Sequence, residues 1–413
     1  MRKGCTPLRA FGTEFTRPRG LRMNQHQHDL AAAASPTVLT NARLVLGDEV
    51  VTGHVVVAGP TILSVDTGIV PRSAIDLEGD YLVPGLVDIH TDHLEKHVFP
   101  RAHVRWDMMR AVLSHDAQII GAGVTTVFDS LCVGATLKNP ERRAILDPMI
   151  EALRSAGQAG ALRAEHLVHL RCEITDDETP GLVEQQIGKE IVRVVSVMEH
   201  LPGRRQSRDV NGYIERRMAE SGKDRKVVEA ETRDLMQRSD DTSRWVRPRV
   251  VALAHERGLP LMSHDDADED HIHEARAEGV SIAEFPVSLE AARAAKAHGL
   301  TTVAGAPNVL RGGSQSGNVA VRDLLDEGLV DVLASDYVPR SLLDCAFHLA
   351  TEDSFELDLP AAIRTVSVEP ARAGGLTDRG VIAPGMRADL LQVAMVDGHP
   401  VVRRIWRAGE RVA

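Results

Sequence analysis

The run Leu82-Val83-Pro84-Gly85-Leu86-Val87-Asp88-Ile89 ends in His90-Thr91-Asp92, an imidazole and a carboxylate two residues apart. In a strand, residues i and i+2 point to one face, so both groups converge just past its carboxyl end. Four further apolar runs close on a ligand-type residue: Leu170-Arg171-Cys172 on Glu173, Ser196-Val197-Met198-Glu199 on His200, Leu261-Met262-Ser263 on His264, and Val332-Leu333-Ala334-Ser335 on Asp336. Three imidazoles and three carboxylates suit two divalent ions of borderline hardness, Zn²⁺, Mn²⁺ or Fe²⁺. Two such ions about 3.5–4 Å apart would acidify a shared water and make a hydrolytic nucleophile at neutral pH. His93, His97, His103, His115, His166 and His298 lack this strand-end register and are expected to be ordinary structural residues. His169 and Arg171 share the parity of Glu173 and should face the interior beneath it. Arg171 then either supports Glu173 or belongs to a core ion pair.

Ligands at the ends of five strands need a scaffold that gathers strand ends. Strand-like segments at 86–90, 124–129, 165–173, 192–199, 259–264, 281–284, 301–305 and 331–335 alternate with helical stretches such as 141–157 and 289–298. Eight such alternations predict an α/β fold, a (β/α)₈ TIM-type barrel, whose chemistry sits at the carboxyl ends of its strands. The barrel is expected over 84–377. Short strand-like runs at 37–83 and a similar texture over 378–413 predict a small β-sandwich domain built from both chain termini. Residues 203–249 interrupt the alternation with mixed charges and one hydrophobic anchor, Trp245, and are expected to be a helical insertion, a possible lid. Residues 1–36 are expected to be a disordered extension; the first 22 carry six basic residues and one acidic one, without the apolar core of a secretory signal.

An anionic substrate would need fixed positive charge beside the metals. Arg311-Gly312-Gly313-Ser314-Gln315-Ser316-Gly317 follows the seventh strand segment, where barrels often bind phosphate. Arginine's planar fork fits phosphate oxygens, and glycines let backbone N–H groups turn toward an anion. Arg204 and Arg205 follow His200, and Lys96, Arg101 and Arg105 follow the first metal motif. Lys96, Arg101, Arg105, Arg204, Arg205, Arg311, Gly312, Gly313 and Ser314 are therefore the expected substrate-binding residues.

Composition narrows the alternatives. Apolar residues make up 43% and charged residues 26% of 413, enough for a large core. Aromatics at 3% and a net charge of −11 disfavour nucleic acid, which needs stacking platforms and basic surface. The four cysteines, Cys5, Cys132, Cys172 and Cys345, form no C-x-x-C pair, which fits a reducing cytoplasm. No apolar stretch reaches bilayer length. The expectation is a cytoplasmic enzyme with neither nucleic-acid nor membrane partner, monomeric or a homo-oligomer.

The Val-Pro-Gly-Leu-Val-Asp-Ile-His-Thr-Asp opening and the Val381-Ile-Ala-Pro-Gly-Met-Arg-Ala-Asp-Leu390 closing resemble the amidohydrolase superfamily. Longer blocks, 90–97, 169–173, 198–206, 263–266, 305–318 and 335–344, resemble a branch of diphosphatases that act on α-D-ribose 1-methylphosphonate 5-triphosphate in the bacterial carbon–phosphorus lyase pathway. The superfamily commonly opens its site with His-x-His and bridges its metals with a modified lysine; this chain has His-x-Asp and Glu173. The resemblance implies His90, Asp92 and Asp336 on one metal, His200 and His264 on the other, and Glu173 bridging. It further implies Asp336 as the catalytic proton shuttle, a phosphorylated sugar phosphonate as substrate, and the 5-phosphate and diphosphate as products. The alternative on the same centre is hydrolysis of a C–N bond, as in a cyclic amidase or deaminase.

Overall fold

The computed structural model describes residues 36–67, 70, 73–101, 104–134, 142–205, 209–314 and 317–413. Cys5, His103, Gln315, Ser316 and all but the last residue of the expected extension at 1–36 lie outside them.

Eight parallel strands, Leu86–Thr91, Val124–Val133, Glu165–Glu173, Val192–Met198, Leu261–His264, Ile282–Glu284, Thr301–Gly305 and Val332–Ala334, pair in chain order. These strands read as near-continuous apolar runs because helices cover their outer faces while side chains fill the inside. All ten residues of Val124–Val133 are buried. The last strand meets the first at one bridge, Thr91 to Asp336. There Asp336 N donates to His90 O at 3.0 Å, and Asp92 N donates to Asp336 O at 3.0 Å. The ring thus closes through the backbone of three predicted ligands.

Phe128, Leu167, Val194, Met262, Ile282, Val303 and Val332 interlock inside the barrel. Each contributes about 1.5–3 kcal/mol by full burial. One layer up the interior turns polar: His169 hydrogen-bonds Ser196 Oγ at 2.8 Å and Ser130 Oγ at 3.1 Å. The apolar layers anchor the strands, and the polar layer carries their carboxyl ends.

A second, mixed sheet takes Thr37–Val45, Val50–Ala58, Thr61–Asp66, Ile75–Asp76 and Tyr81–Pro84 from one part of the chain, and Leu390–Val396, His399–Arg407 and Glu410–Arg411 from the other. Tyr81–Pro84 and Leu390–Val396 pair antiparallel and join the two groups. Glu165, at the base of the third barrel strand, pairs with Arg379 at 2.7 Å and with Arg387. Burial opposes its charge, but the two guanidiniums prevail and hold its pKa below the ordinary value.

The charged insertion forms helices Val210–Ser221 and Arg225–Glu256. Asp209 caps the first by accepting from Gly212 N, and Gly222 ends it with φ 66°. Trp245, expected as the anchor, is exposed; Val228, Val246 and Val250 are buried in its place. Cys132, Cys172 and Cys345 are buried and free. Among the described residues, no helix is long and apolar enough to cross a membrane.

Candidate metal centre

His90 and His264 end strands one and five, and one carboxylate holds both. His90 Nδ1 donates to Glu284 Oε1 at 2.5 Å, and His264 Nδ1 donates to Glu284 Oε2 at 2.6 Å. The two rings lie nearly parallel, 10° apart, with centroids at 6.1 Å. A carboxylate on Nδ1 fixes the tautomer and leaves Nε2 as the lone-pair donor, the usual support of a metal-ligating histidine. His90 Nε2 is buried with no hydrogen-bond partner. His200 is held in the same way: its Nδ1 donates to Glu173 Oε2 at 2.8 Å, while Thr175 Oγ donates to Glu173 Oε1 at 2.6 Å. The ligand atoms of His200, His264 and Asp265 lie within 4.8 Å of one another, as do those of His90, His169 and Glu284.

Charge at the centre follows from these contacts. Burial works against the Glu284 carboxylate, but His90, His169 and the two imidazole hydrogen bonds outweigh it and hold its pKa well below the ordinary value. Glu173 is lowered too, burial again being overcome, here by His200 and Thr175. Asp336 moves the other way: burial raises it and the Asp92 carboxylate adds to that, against His90, Arg171 and His264. Burial also drives His169 down to about 3, so its ring is neutral.

The strand ends share one turn. Asp265, Phe285 and Asp336 follow strands five, six and eight with φ of 56°, 55° and 56°. Left-handed backbone at non-glycine residues costs roughly 1–2 kcal/mol each and clusters at functional sites. Each residue is held there by donating its N–H to a neighbouring strand: Asp265 to Glu284 O, Phe285 to Val303 O and Asp336 to His90 O.

The six sequence-predicted ligands are brought to the barrel mouth in unequal settings. Asp92 Oδ1 is buried without a hydrogen-bond partner, and Oδ2 stands 3.9 Å from Arg171 Nη1. Arg171 therefore faces Asp92, and also Cys132 at 3.9 Å; it does not support Glu173. Asp92, Glu173 and Asp336 fall outside both of these tight ligand groups. Glu284, Asp265 and Tyr337 were not singled out from the sequence. Glu284 carried a signal: it ends a strand-like run, as His264 does, and the two stand opposite each other across the parallel pair.

Of the expected substrate contacts, Lys96 and Arg311 meet on one residue. Lys96 Nζ donates to Tyr337 O at 2.9 Å, and Arg311 Nη1 donates to Tyr337 Oη at 3.4 Å. Arg311, Gly313, Ser314, Tyr337 and Asp336 line one open cleft. Gly312 ends the helix Ala306–Arg311 with φ 74°, a conformation that suits glycine. Arg204 pairs with Glu199 at 3.1 Å and with Asp240 of the insertion at 2.6 Å. Arg205 departs from the expectation of a substrate contact. It is buried, with its guanidinium on Asp266 at 2.6 Å, His264 O at 3.2 Å and Glu199 at 3.4 Å, which leaves it bracing the His264 turn. Arg101 and Arg105 are exposed, and no described contact brings them to Asp336.

The unpartnered His90 Nε2 and Asp92 Oδ1, beside imidazoles oriented by carboxylates, fit a divalent cation of the Zn²⁺, Mn²⁺ or Fe²⁺ kind. A parallel barrel with a second sheet drawn from both ends of the chain and such a cluster at the strand ends is the architecture of a metal-dependent hydrolase. The sequence profile of the amidohydrolase family matches residues 81–412, and the chain belongs to that family. Over 381 residues it is 40% identical to the alpha-D-ribose 1-methylphosphonate 5-triphosphate diphosphatase of Escherichia coli (strain K12), covering 91% of this chain and 100% of that one. Among solved structures, ochratoxinase from A. niger superposes with a TM-score of 0.61 at 14% identity, over 92% of this chain and 95% of that one. Dihydropyrimidinase from Brevibacillus agri NCHU1002 does so with a TM-score of 0.55 at 13% identity, over 91% and 95%. At such identity these two share the fold alone.

Proposed function

We propose that this chain hydrolyses α-D-ribose 1-methylphosphonate 5-triphosphate to the 5-phosphate and diphosphate, a step of phosphonate catabolism. The observation that carries the reading is the convergence of Lys96 and Arg311 on Tyr337, beside Asp336. The full-length 40% identity to a relative of that activity supports it. Two divalent ions, for which His90, Asp92, Glu173, His200, His264 and Asp336 are the proposed ligands, would when bound supply Lewis acidity and an acidified water.

The chain's own residues do the rest. Glu284 keeps the Nε2 atoms of His90 and His264 free to ligate. Asp336, its pKa raised by burial, accepts the proton of the attacking water and returns it to the product. Arg311 and Lys96 hold the β- and γ-phosphates and offset the charge that builds on the leaving diphosphate. The glycines after Arg311 let backbone N–H groups approach the same oxygens. The insertion, tied by Asp240 to Arg204, covers the loop after strand four and acts as a lid.

The test is hydrolysis in ¹⁸O-labelled water after metal reconstitution. Label should enter the ribose 5-phosphate and not the diphosphate. Label in the diphosphate, or turnover of a cyclic amide with no phosphoanhydride cleaved, overturns the assignment.

A further inference from the structure

Beside the second barrel strand, three histidines face one another. His93 precedes the short helix Leu94–Val98, His97 lies four residues on, and His115 projects from the helix Met108–Gly121. Residues four apart on a helical turn share a face. Their ring centroids stand 4.9, 5.6 and 5.8 Å apart, and one nitrogen from each lies within 4.8 Å of the other two.

The tautomer of His115 is set from behind. Its Nε2 donates to Asp129 Oδ1 at 2.6 Å, and the other Asp129 oxygen accepts from His166 Nδ1 at 2.8 Å. Burial opposes the Asp129 charge, but His166 and His115 hold its pKa below the ordinary value. With Nε2 protonated, His115 turns its Nδ1 lone pair toward His93. The two Nδ1 atoms are 3.4 Å apart. That is at the long end for a hydrogen bond. It matches two nitrogens on one tetrahedral zinc, about 3.4 Å apart for Zn–N bonds of about 2.0–2.1 Å. The third member shows the same need: His97 Nε2 is buried and has no hydrogen-bond partner.

We propose that His93, His97 and His115 form a separate zinc site, with Asp129 as the carboxylate behind His115. None of the three belongs to the barrel-mouth ligand set. A carboxylate–histidine–metal arrangement is the usual way a protein orients such a ligand. The site pins the loop that carries Lys96 onto the helix Met108–Gly121, and so ties the substrate loop to the barrel wall. Strand register gave these histidines no role because the site is built from helices.

The experiment removes the barrel-mouth ligands first. In full-length His90→Ala/His200→Ala/His264→Ala protein, which lacks every imidazole of the barrel-mouth set, stripped with chelator and dialysed against Zn²⁺, elemental analysis should find one zinc per chain that His97→Ala abolishes. Co²⁺ in its place should give the intense visible bands of a tetrahedral site, lost with His97→Ala and with His115→Gln. His97 is half-buried on a five-residue helix, so its variant tests the site even where His115→Gln disturbs packing. Zinc content unchanged by His97→Ala, or a folded background protein that binds no zinc, overturns the proposal and leaves a proton-sharing histidine cluster.

Discussion

Replacing Glu284 by glutamine changes one atom type in a fully buried side chain, and its consequence can be worked from two hydrogen bonds. The carboxylate accepts from His90 Nδ1 at 2.5 Å and from His264 Nδ1 at 2.6 Å. An amide of the same shape keeps one acceptor oxygen and turns an NH₂ toward the other imidazole. That ring must switch tautomer, because two N–H groups cannot face each other. Its Nε2 then carries hydrogen and no longer ligates. Loss of such support costs about 10- to 100-fold in metal affinity, or about 1.4–2.7 kcal/mol. Competition between apo protein and a chromophoric zinc chelator at neutral pH measures it, with circular dichroism as the check on folding. A folded Glu284→Gln protein with wild-type zinc affinity would falsify the idea that Glu284 orients the two imidazoles.

Three other outcomes are expected. Asp336→Asn should lower kcat by about 10²–10⁴ with little change in KM, since the side chain keeps its shape and loses its proton acceptor; wild-type kcat at full metal content refutes its role. Arg311→Ala should raise KM for the triphosphate by about 10- to 100-fold through loss of a charged hydrogen bond, and raise it less for a diphosphate analogue; equal losses on both would place Arg311 elsewhere. Glu165→Gln should cost about 1–3 kcal/mol at neutral pH by unpairing Arg379 and Arg387. Because the folded pKa of Glu165 is depressed, its contribution is present above an unfolded value of about 4.3 and is lost as pH falls through the folded one. Urea midpoints of the two proteins should therefore converge in acid, and a gap that stays constant contradicts the ion-pair account.

Much of the barrel was legible in the chain because a strand buried on both faces has one sequence signature: an apolar run that stops where the strand meets solvent or a site. His90, Glu173, His264 and Asp336 stood at such stops, and the short strand-like runs near both ends of the chain pointed to the second sheet. Adjacent residues show where this signature ends. Arg204 and Arg205 read alike, yet φ of 45° at Arg205 accompanies a guanidinium buried on Asp266, while Arg204 reaches the insertion. Trp245 read as an anchor because of its size, but the long helix buries valines on its inner face.

What the sequence determined by itself was the kind of side chain offered at each strand end, since side-chain chemistry and strand parity are local. What only the tertiary structure decided was who meets whom. Glu284 serves two imidazoles because parallel pairing sets it opposite His264 and barrel closure carries His90 around to it. Lys96 and Arg311 share Tyr337 although they are remote in the chain. His115 joins His93 and His97 from a different helix. Such pairings depend on inter-strand register and helix packing, which are sums over many distant contacts, and no window of residues along the chain contains them.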